Sequence, residues 1–137
     1  MPRSKKSRIL IVDDHPTMRE GLRTILHSVG DFLVCGEAGN SREAMAAARK
    51  LQPDLAIVDI SLREEHDGIE LTRQLRNESP DLPVLAFSLH EEQAYSDAAL
   101  AAGARGYCTK SETSKTLINA VRQVLKGQIF VSKLGQH

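Results

Sequence analysis

Apolar residues along this chain come in two rhythms. Short continuous runs at Arg8 to Val12, Leu55 to Val58 and Val84 to Phe87 are rich in branched residues and too short for helices, which predicts strands buried on both faces. Between them the apolar positions recur at helical spacing. Met18, Leu22, Ile25, Leu26 and Val29 follow Pro16, a residue suited to a first helical turn, and Gly30 is the expected stop. Phe32 to Cys35 predicts a short strand continuing to Ala38, closed by Gly39 and Asn40. Ser41 with Ala44, Ala47, Ala48 and Leu51 predicts a capped helix whose small-residue face can sit close to a sheet.

The second half repeats the alternation. A helix is expected from about Asp67 to Asn77, with Ile69, Thr72 and Leu75 facing inward, and Pro80 and Pro83 bracket the turn that follows. Glu91 to Ala102 reads as an alanine-rich helix stopped by Gly103; with few large apolar anchors, it should pack more loosely than its neighbours. Gly106 to Thr109 is the last expected strand. Thr113 then opens a helix in which Leu117, Val121, Val124 and Leu125 share a face as far as Gly127. Residues 128–137 show no clear period and read as an extended tail or the start of a linker.

Strands alternating with helices through short connections predict an α/β domain with a mostly parallel sheet covered on both faces. The predicted organisation is a tail at 1–7, one domain at 8–127 and a second tail at 128–137. At 137 residues the chain can bury about two-thirds of its unfolded surface without disulfides or a structural metal.

Composition narrows the functional classes. Lys plus Arg and Asp plus Glu both number 18, so there is no global basic field that would argue for nucleic-acid binding by this segment. The early cluster Arg3, Lys5, Lys6 and Arg8 reads as a solvated tail. No apolar run approaches the roughly 18 residues that span a bilayer, and no signal-peptide core follows the basic start, so a cytoplasmic protein without membrane contact is expected. Cys35 and Cys108 are far apart and outside any C-x-x-C arrangement, as small buried hydrophobes would be.

Candidate chemistry sits at the strand ends. The first strand runs into Asp13-Asp14-His15, the third ends on Asp59, the fourth on Ser88, and the fifth meets Lys110. Asp59 alone could be a ligand, a nucleophile or a helix cap, although the residues after it do not read as an immediate helix start. In a parallel sheet all these ends lie on one edge, where ligands bind at the switch point of strand order. Three neighbouring carboxylates repel one another, and one ammonium offsets only part of that repulsion. A divalent cation resolves it, and oxygen ligands suit Mg²⁺ or Mn²⁺ better than Zn²⁺. His15 precedes a Pro at a helix start and is expected to point away. Beside such a cation Asp59 is placed to attack a phosphoryl group, whose equatorial oxygens the metal, Lys110 and Ser88 could neutralise.

Together V-D-D-H at Val12 to His15, I-V-D at Ile57 to Asp59, Ser88, and G-Y-x-x-K at Gly106 to Lys110 resemble the receiver domain of two-component response regulators, over about Ser7 to Gly127. The resemblance implies a doubly wound, flavodoxin-like (βα)5 fold with five parallel strands in the order 2-1-3-4-5, the order of the family's chemotaxis member. It further implies that Asp59 accepts phosphate from a histidine kinase. Asp14, Asp59 and the backbone carbonyl of Ser61 would bind Mg²⁺ directly, with Asp13 acting through water. Lys110 would pair with the phosphate or, before it arrives, with a carboxylate. Ser88 would swing toward the phosphoryl oxygens and Tyr107 would turn inward behind it, a two-state switch rather than an enzyme with an external substrate.

This chain departs from the family pattern in three places. Leu62-Arg63 stands where a Met-Pro pair is usual, and the run to Gly68 reads one residue longer, with Glu64, Glu65, His66 and Asp67. Leu89 is larger than the residue common after the hydroxyl and could narrow access to Asp59. Ser111 rather than Pro follows Lys110, which resembles receivers joined to LuxR-type DNA-binding domains, and the segment Gly127 to Leu134 resembles the lead into such an output domain. A DNA-binding output domain or a partner protein is therefore expected outside this segment, with homodimer formation left open. The alternatives are a stand-alone phosphate shuttle and a phosphorylation-independent binding module. A hydrolase of the aspartyl-phosphate type fits less well, since His15 stands where its second Asp would be.

Overall fold

Side chains alternate between the two faces of a strand, so a continuous apolar run needs cover on both sides. A computed structural model describes residues 5–61 and 68–133. Its strands are β1 (Ser7–Val12), β2 (Phe32–Ala38), β3 (Leu55–Asp59), β4 (Val84–Ser88), β5 (Gly106–Thr109) and β6 (Phe130–Val131). They form one parallel sheet in the order β2-β1-β3-β4-β5-β6. The first five follow the expected flavodoxin-like order 2-1-3-4-5.

Five helices among the described residues provide the cover: α1 (Pro16–His27), α2 (Ser41–Leu51), α3 (Gly68–Glu78), α4 (Gln93–Ala101) and α5 (Ser114–Leu125). Ile9, Ile11, Leu55, Ile57, Leu85 and Phe87 form one core with Leu22 and Leu26 of α1 and Leu117, Val121 and Val124 of α5. The residues of opposite parity, Leu10, Val12, Ala56, Val58 and Val84, form a second core with Ala44 and Ala48 of α2 and Leu71 and Leu75 of α3. A third, smaller cluster joins Ile60, Ala86, Tyr107 and Ala104 to Ala99 of α4. Only Ser96 and Ala99 of α4 are buried, in keeping with the expectation of a lightly anchored helix.

Local signals set the boundaries. Pro16 occupies the first turn of α1, and the Thr113 hydroxyl accepts the Thr116 N–H at 3.1 Å to open α5. The cap of α2 is Asn40 rather than the expected Ser41: Asn40 Oδ1 accepts the Glu43 N–H at 2.9 Å, and Glu43 Oε1 accepts the Gly39 N–H at 2.8 Å. The pair is a variant of the capping box, with the return bond from Glu43 going to the residue before the cap rather than to the cap's own N–H. Helix α4 begins at Gln93, two residues later than expected, because Glu92 has extended backbone and stands as the N-cap, without a side-chain cap bond.

The stretch after α5 differs more. Gly127 takes a left-handed φ of 85°, which ends α5 and turns the chain back along β5. There Phe130 N–H donates to the Arg105 carbonyl at 3.2 Å and Ser132 N–H to the Tyr107 carbonyl at 2.8 Å. Within the stretch expected to be an extended tail or the start of a linker, Phe130–Val131 pairs with β5 as a short sixth strand.

Candidate functional site

Parallel pairing brings the strand ends to one edge, and the register fixes which ends meet. Asp59 pairs with Phe87 and Ser88 with Thr109, while Val12 pairs with Val58 one residue before the acids. Asp13 and Asp59 are each 1% exposed, and the Lys110 side chain is 6% exposed. Lys110 Nζ lies 3.2 Å from Asp13 Oδ2 and 3.2 Å from Asp59 Oδ2, so one ammonium bridges two buried carboxylates. It also stands 5.5 Å from the centroid of the Phe87 ring, whose face favours a cation. The Lys110 N–H donates to the Ser88 carbonyl at 2.7 Å, which fixes where that side chain leaves β5.

The remaining carboxylate oxygens are held locally. Ser61 N–H donates to Asp59 Oδ1 at 2.9 Å, and His15 N–H donates to Asp13 Oδ1 at 2.8 Å. Burial pushes the Asp59 carboxyl above the ordinary carboxylate range; the Ser61 N–H and Lys110 pull it back, and Asp13 adds to the rise. The charge balance at this edge therefore leaves room for a further cation. Oxygens of Asp13, Asp14 and Asp59 and a His15 ring nitrogen all lie within 4.8 Å of one another. Three hard oxygen donors in that space fit a small hard dication such as Mg²⁺.

Beside the acids lie two hydroxyl groups bonded to the backbone of one residue, His90. Ser88 is fully buried, and its Oγ accepts the His90 N–H at 2.9 Å. Tyr107 is equally buried, its hydroxyl donating to the His90 carbonyl at 2.6 Å. One peptide segment thus holds both hydroxyl-bearing residues. Burial raises the Tyr107 phenol above its ordinary value, with the Ser88 hydroxyl offsetting part of the rise.

The family profile described as the response regulator receiver domain matches residues 9–122. The chain belongs to that family. It is 35% identical over 125 residues to the response regulator GacA of Pseudomonas viridiflava, covering 91% of this chain and 58% of that protein. This receiver chain therefore spans little more than half the length of the curated relatives it matches. The crystal structure of a LuxR-family two-component response regulator from Aurantimonas sp. SI85-9A1 superposes with a TM-score of 0.90 at 35% identity, covering 94% of this chain and 91% of that one. The isolated receiver of RcsB from Salmonella enterica serovar Typhimurium, solved with the phosphomimetic BeF₃⁻, gives 0.86 at 25% identity, covering 94% and 95%.

Within this receiver the structure brings Asp13, Asp14, Asp59 and Lys110 together, with Ser88 and Tyr107 joined through His90. His15 does not point away as expected. Its Nδ1 lies 3.0 Å from Asp13 Oδ1 and 3.0 Å from Asp14 Oδ1, because its own N–H is tied to Asp13 and turns the ring back over the acids. Leu89 is 73% exposed, so its side chain projects into solvent rather than over Asp59. The altered loop from Leu62 to Asp67 lies outside the described residues. Two positioning residues were not anticipated. The Arg19 guanidinium donates to the Asp13 carbonyl at 2.5 Å while bridging to Glu37 at 3.2 Å, and His90 ties Ser88 to Tyr107. Neither carries a motif signal, because each acts through contacts that only the fold creates.

Among the described residues no helix is long and apolar enough to cross a membrane. Cys108 sits in the core, where burial raises its thiol to about 11, whereas Cys35 is half-buried.

Proposed function

We propose that this receiver accepts a phosphoryl group on Asp59 from a histidine kinase in the cytoplasm and uses the resulting charge to control transcription through a DNA-binding domain outside this segment. What supports the reading is one arrangement: a desolvated Asp59 carboxylate that shares the Lys110 ammonium with Asp13 at the mouth of a parallel sheet. An Asp59 oxygen attacks the phosphorus, a P–O bond forms, the P–N bond to the donor imidazole breaks, and the electron pair leaves on that nitrogen. The acyl phosphate formed carries a charge that Lys110 is placed to neutralise. Ser88, on the adjacent strand, donates its hydroxyl proton to a phosphoryl oxygen once it leaves the His90 N–H.

Asp14, Asp59 and the Ser61 carbonyl would hold Mg²⁺, with Asp13 through water, and the ion would supply the charge neutralisation that Lys110 alone cannot. The only reactions of the domain itself are then its own phosphorylation and dephosphorylation. The reading draws support from the similar RcsB receiver, which was solved with a phosphomimetic, and the LuxR-family structure supports the transcriptional output. Incubation with Mg²⁺ and a small phosphodonor should add one phosphate to the wild type and none to Asp59→Asn, read by intact-mass spectrometry; equal labelling of both would end the proposal.

A further inference from the structure

At the opposite edge of the sheet, where the strands begin, lies a cleft of about 750 Å³. Its lining carries Lys5, Lys6, Arg8, Arg76 and Arg105 against two carboxylates, Asp54 and Asp81. Since the whole chain is formally neutral, this surplus is a local segregation of charge.

Part of that surplus has a structural use. Helix C-termini gather at this edge and present carbonyls that favour cations. Arg8 donates to the Leu51 and Gln52 carbonyls at 2.6 and 3.0 Å, and Arg76 to the Pro80 and Leu82 carbonyls at 2.5 and 2.7 Å. These bonds hold two guanidinium groups in fixed positions in the cleft wall. They leave Arg76 Nε buried with no hydrogen-bond partner among the described residues, which is costly for a charged donor. Lys5, Lys6 and Arg105 are exposed, and among the described residues their side chains have neither an ion pair nor a hydrogen bond.

We propose that this cleft binds a small polyanion carrying at least two phosphoryl groups, at a site separate from the Asp59 pocket. Its volume is that of a small-molecule site and is several times larger than one phosphate requires. Its anchors are cations, so the fitting ligand is dense in charge rather than apolar. Guanidinium groups held in place suit the forked geometry of phosphate oxygens, and Lys5 and Lys6 can close over a second phosphoryl group from the start of β1. A concave site on a neutral domain fits a compact ligand better than the extended backbone of a duplex.

The test is an amide NMR titration of the 137-residue chain with inorganic pyrophosphate, in chelator and at an ionic strength held constant with NaCl. Saturable shifts are expected at residues 5–8, 105 and 124–127, at least fivefold tighter than with monophosphate. Lys5→Ala/Lys6→Ala/Arg105→Ala should weaken binding at least fivefold while the rest of the spectrum shows the native fold. Asp59→Asn should bind as the wild type does, so this site stands or falls independently of phosphoryl transfer. Non-saturating shifts, a smaller loss in the triple variant, or duplex DNA binding the same residues more tightly than pyrophosphate would overturn the assignment.

Discussion

At Asp59 the burial that raises the carboxyl's proton affinity also keeps water from the oxygen that would attack phosphorus. A folded pKa above the reference of 3.8 means that the native state holds this proton more tightly than the unfolded chain does. The associated stability is therefore fully present below the unfolded value and is lost as pH rises through the folded one. At neutral pH the ionised Asp59 burdens the fold, and Lys110 relieves only part of that burden because Asp13 shares it. Asp59→Asn removes the charge and leaves Lys110 and Asp13 as a matched pair. In chelator at pH 7 the variant should melt higher than the wild type by about 2–5 °C, and the gap should close as pH falls toward 4. Thermal denaturation followed by circular dichroism at both pH values checks this, and a lower melting point for the variant at pH 7 would contradict it. Gly68 belongs to the same scale. A Cβ there would sit 2.2 Å from the Asp59 carbonyl oxygen and 2.3 Å from Ile60 Cα, both backbone atoms that cannot rotate aside. Gly68→Ala should thus cost more than about 2 kcal/mol in denaturant midpoint analysis and slow phosphoryl labelling, because the start of α3 and the end of β3 must move apart.

Among the elements, β6 couples the residues that follow α5 to β5, the strand that carries Tyr107. Thr109 N–H donates to Ser132 Oγ at 3.0 Å, and Ser132 N–H to the Tyr107 carbonyl at 2.8 Å, in a place where Ser132 is buried. Ser132→Ala leaves the Thr109 N–H without its acceptor, at a cost of about 1–3 kcal/mol. Hydrogen exchange at Thr109 and Ser132 should then speed up at least tenfold, while the Lys110 amide, bonded to the Ser88 carbonyl, keeps its protection. Unchanged exchange at Thr109 would show that the strap holds without Ser132. This element was not legible in the sequence, and the reason is physical. Two residues, one of them exposed, make no alternating pattern, and an edge strand this short is set by hydrogen bonds to β5 rather than by its own hydrophobicity. The central strands were legible for the opposite reason, since Ile9 to Val12 and Leu55 to Val58 must be apolar at every position to be covered on two faces. The acids at their ends were conspicuous because they interrupt that run. His15 was misjudged because its ring direction follows from the hydrogen bond of its own N–H to Asp13, a contact that spacing does not encode. The Asn40 cap was missed by one residue, which is the usual resolution of boundary signals.

For the molecule as a whole, a parallel sheet gives the domain two unlike ends. Asp13, Asp14 and Asp59 collect where the strands finish and the surplus cations where they start, although formal charge sums to zero. On the proposed reading, in which the acidic end holds a divalent cation, stability depends on that cation by mass action. A cation that binds the native pocket and not the unfolded chain adds RT ln(1 + [L]/Kd), or about 1.4 kcal/mol when its concentration is tenfold above Kd. The melting temperature should therefore rise with Mg²⁺ in a saturable way. Two controls separate this from general screening of charge. NaCl at matched ionic strength should give a smaller, non-saturating change, because Asp13 and Asp59 are buried and poorly screened. Asp14→Asn should lose most of the Mg²⁺ response, since it removes a carboxylate from the cluster while the bridge from Lys110 to Asp13 and Asp59 stays intact. In Asp59→Asn the same titration should begin from a higher melting point and gain less, because part of the repulsion that the cation relieves is already gone. A Mg²⁺ response of equal size in all three proteins would place the ion elsewhere and detach metal binding from the pocket that Asp59 occupies.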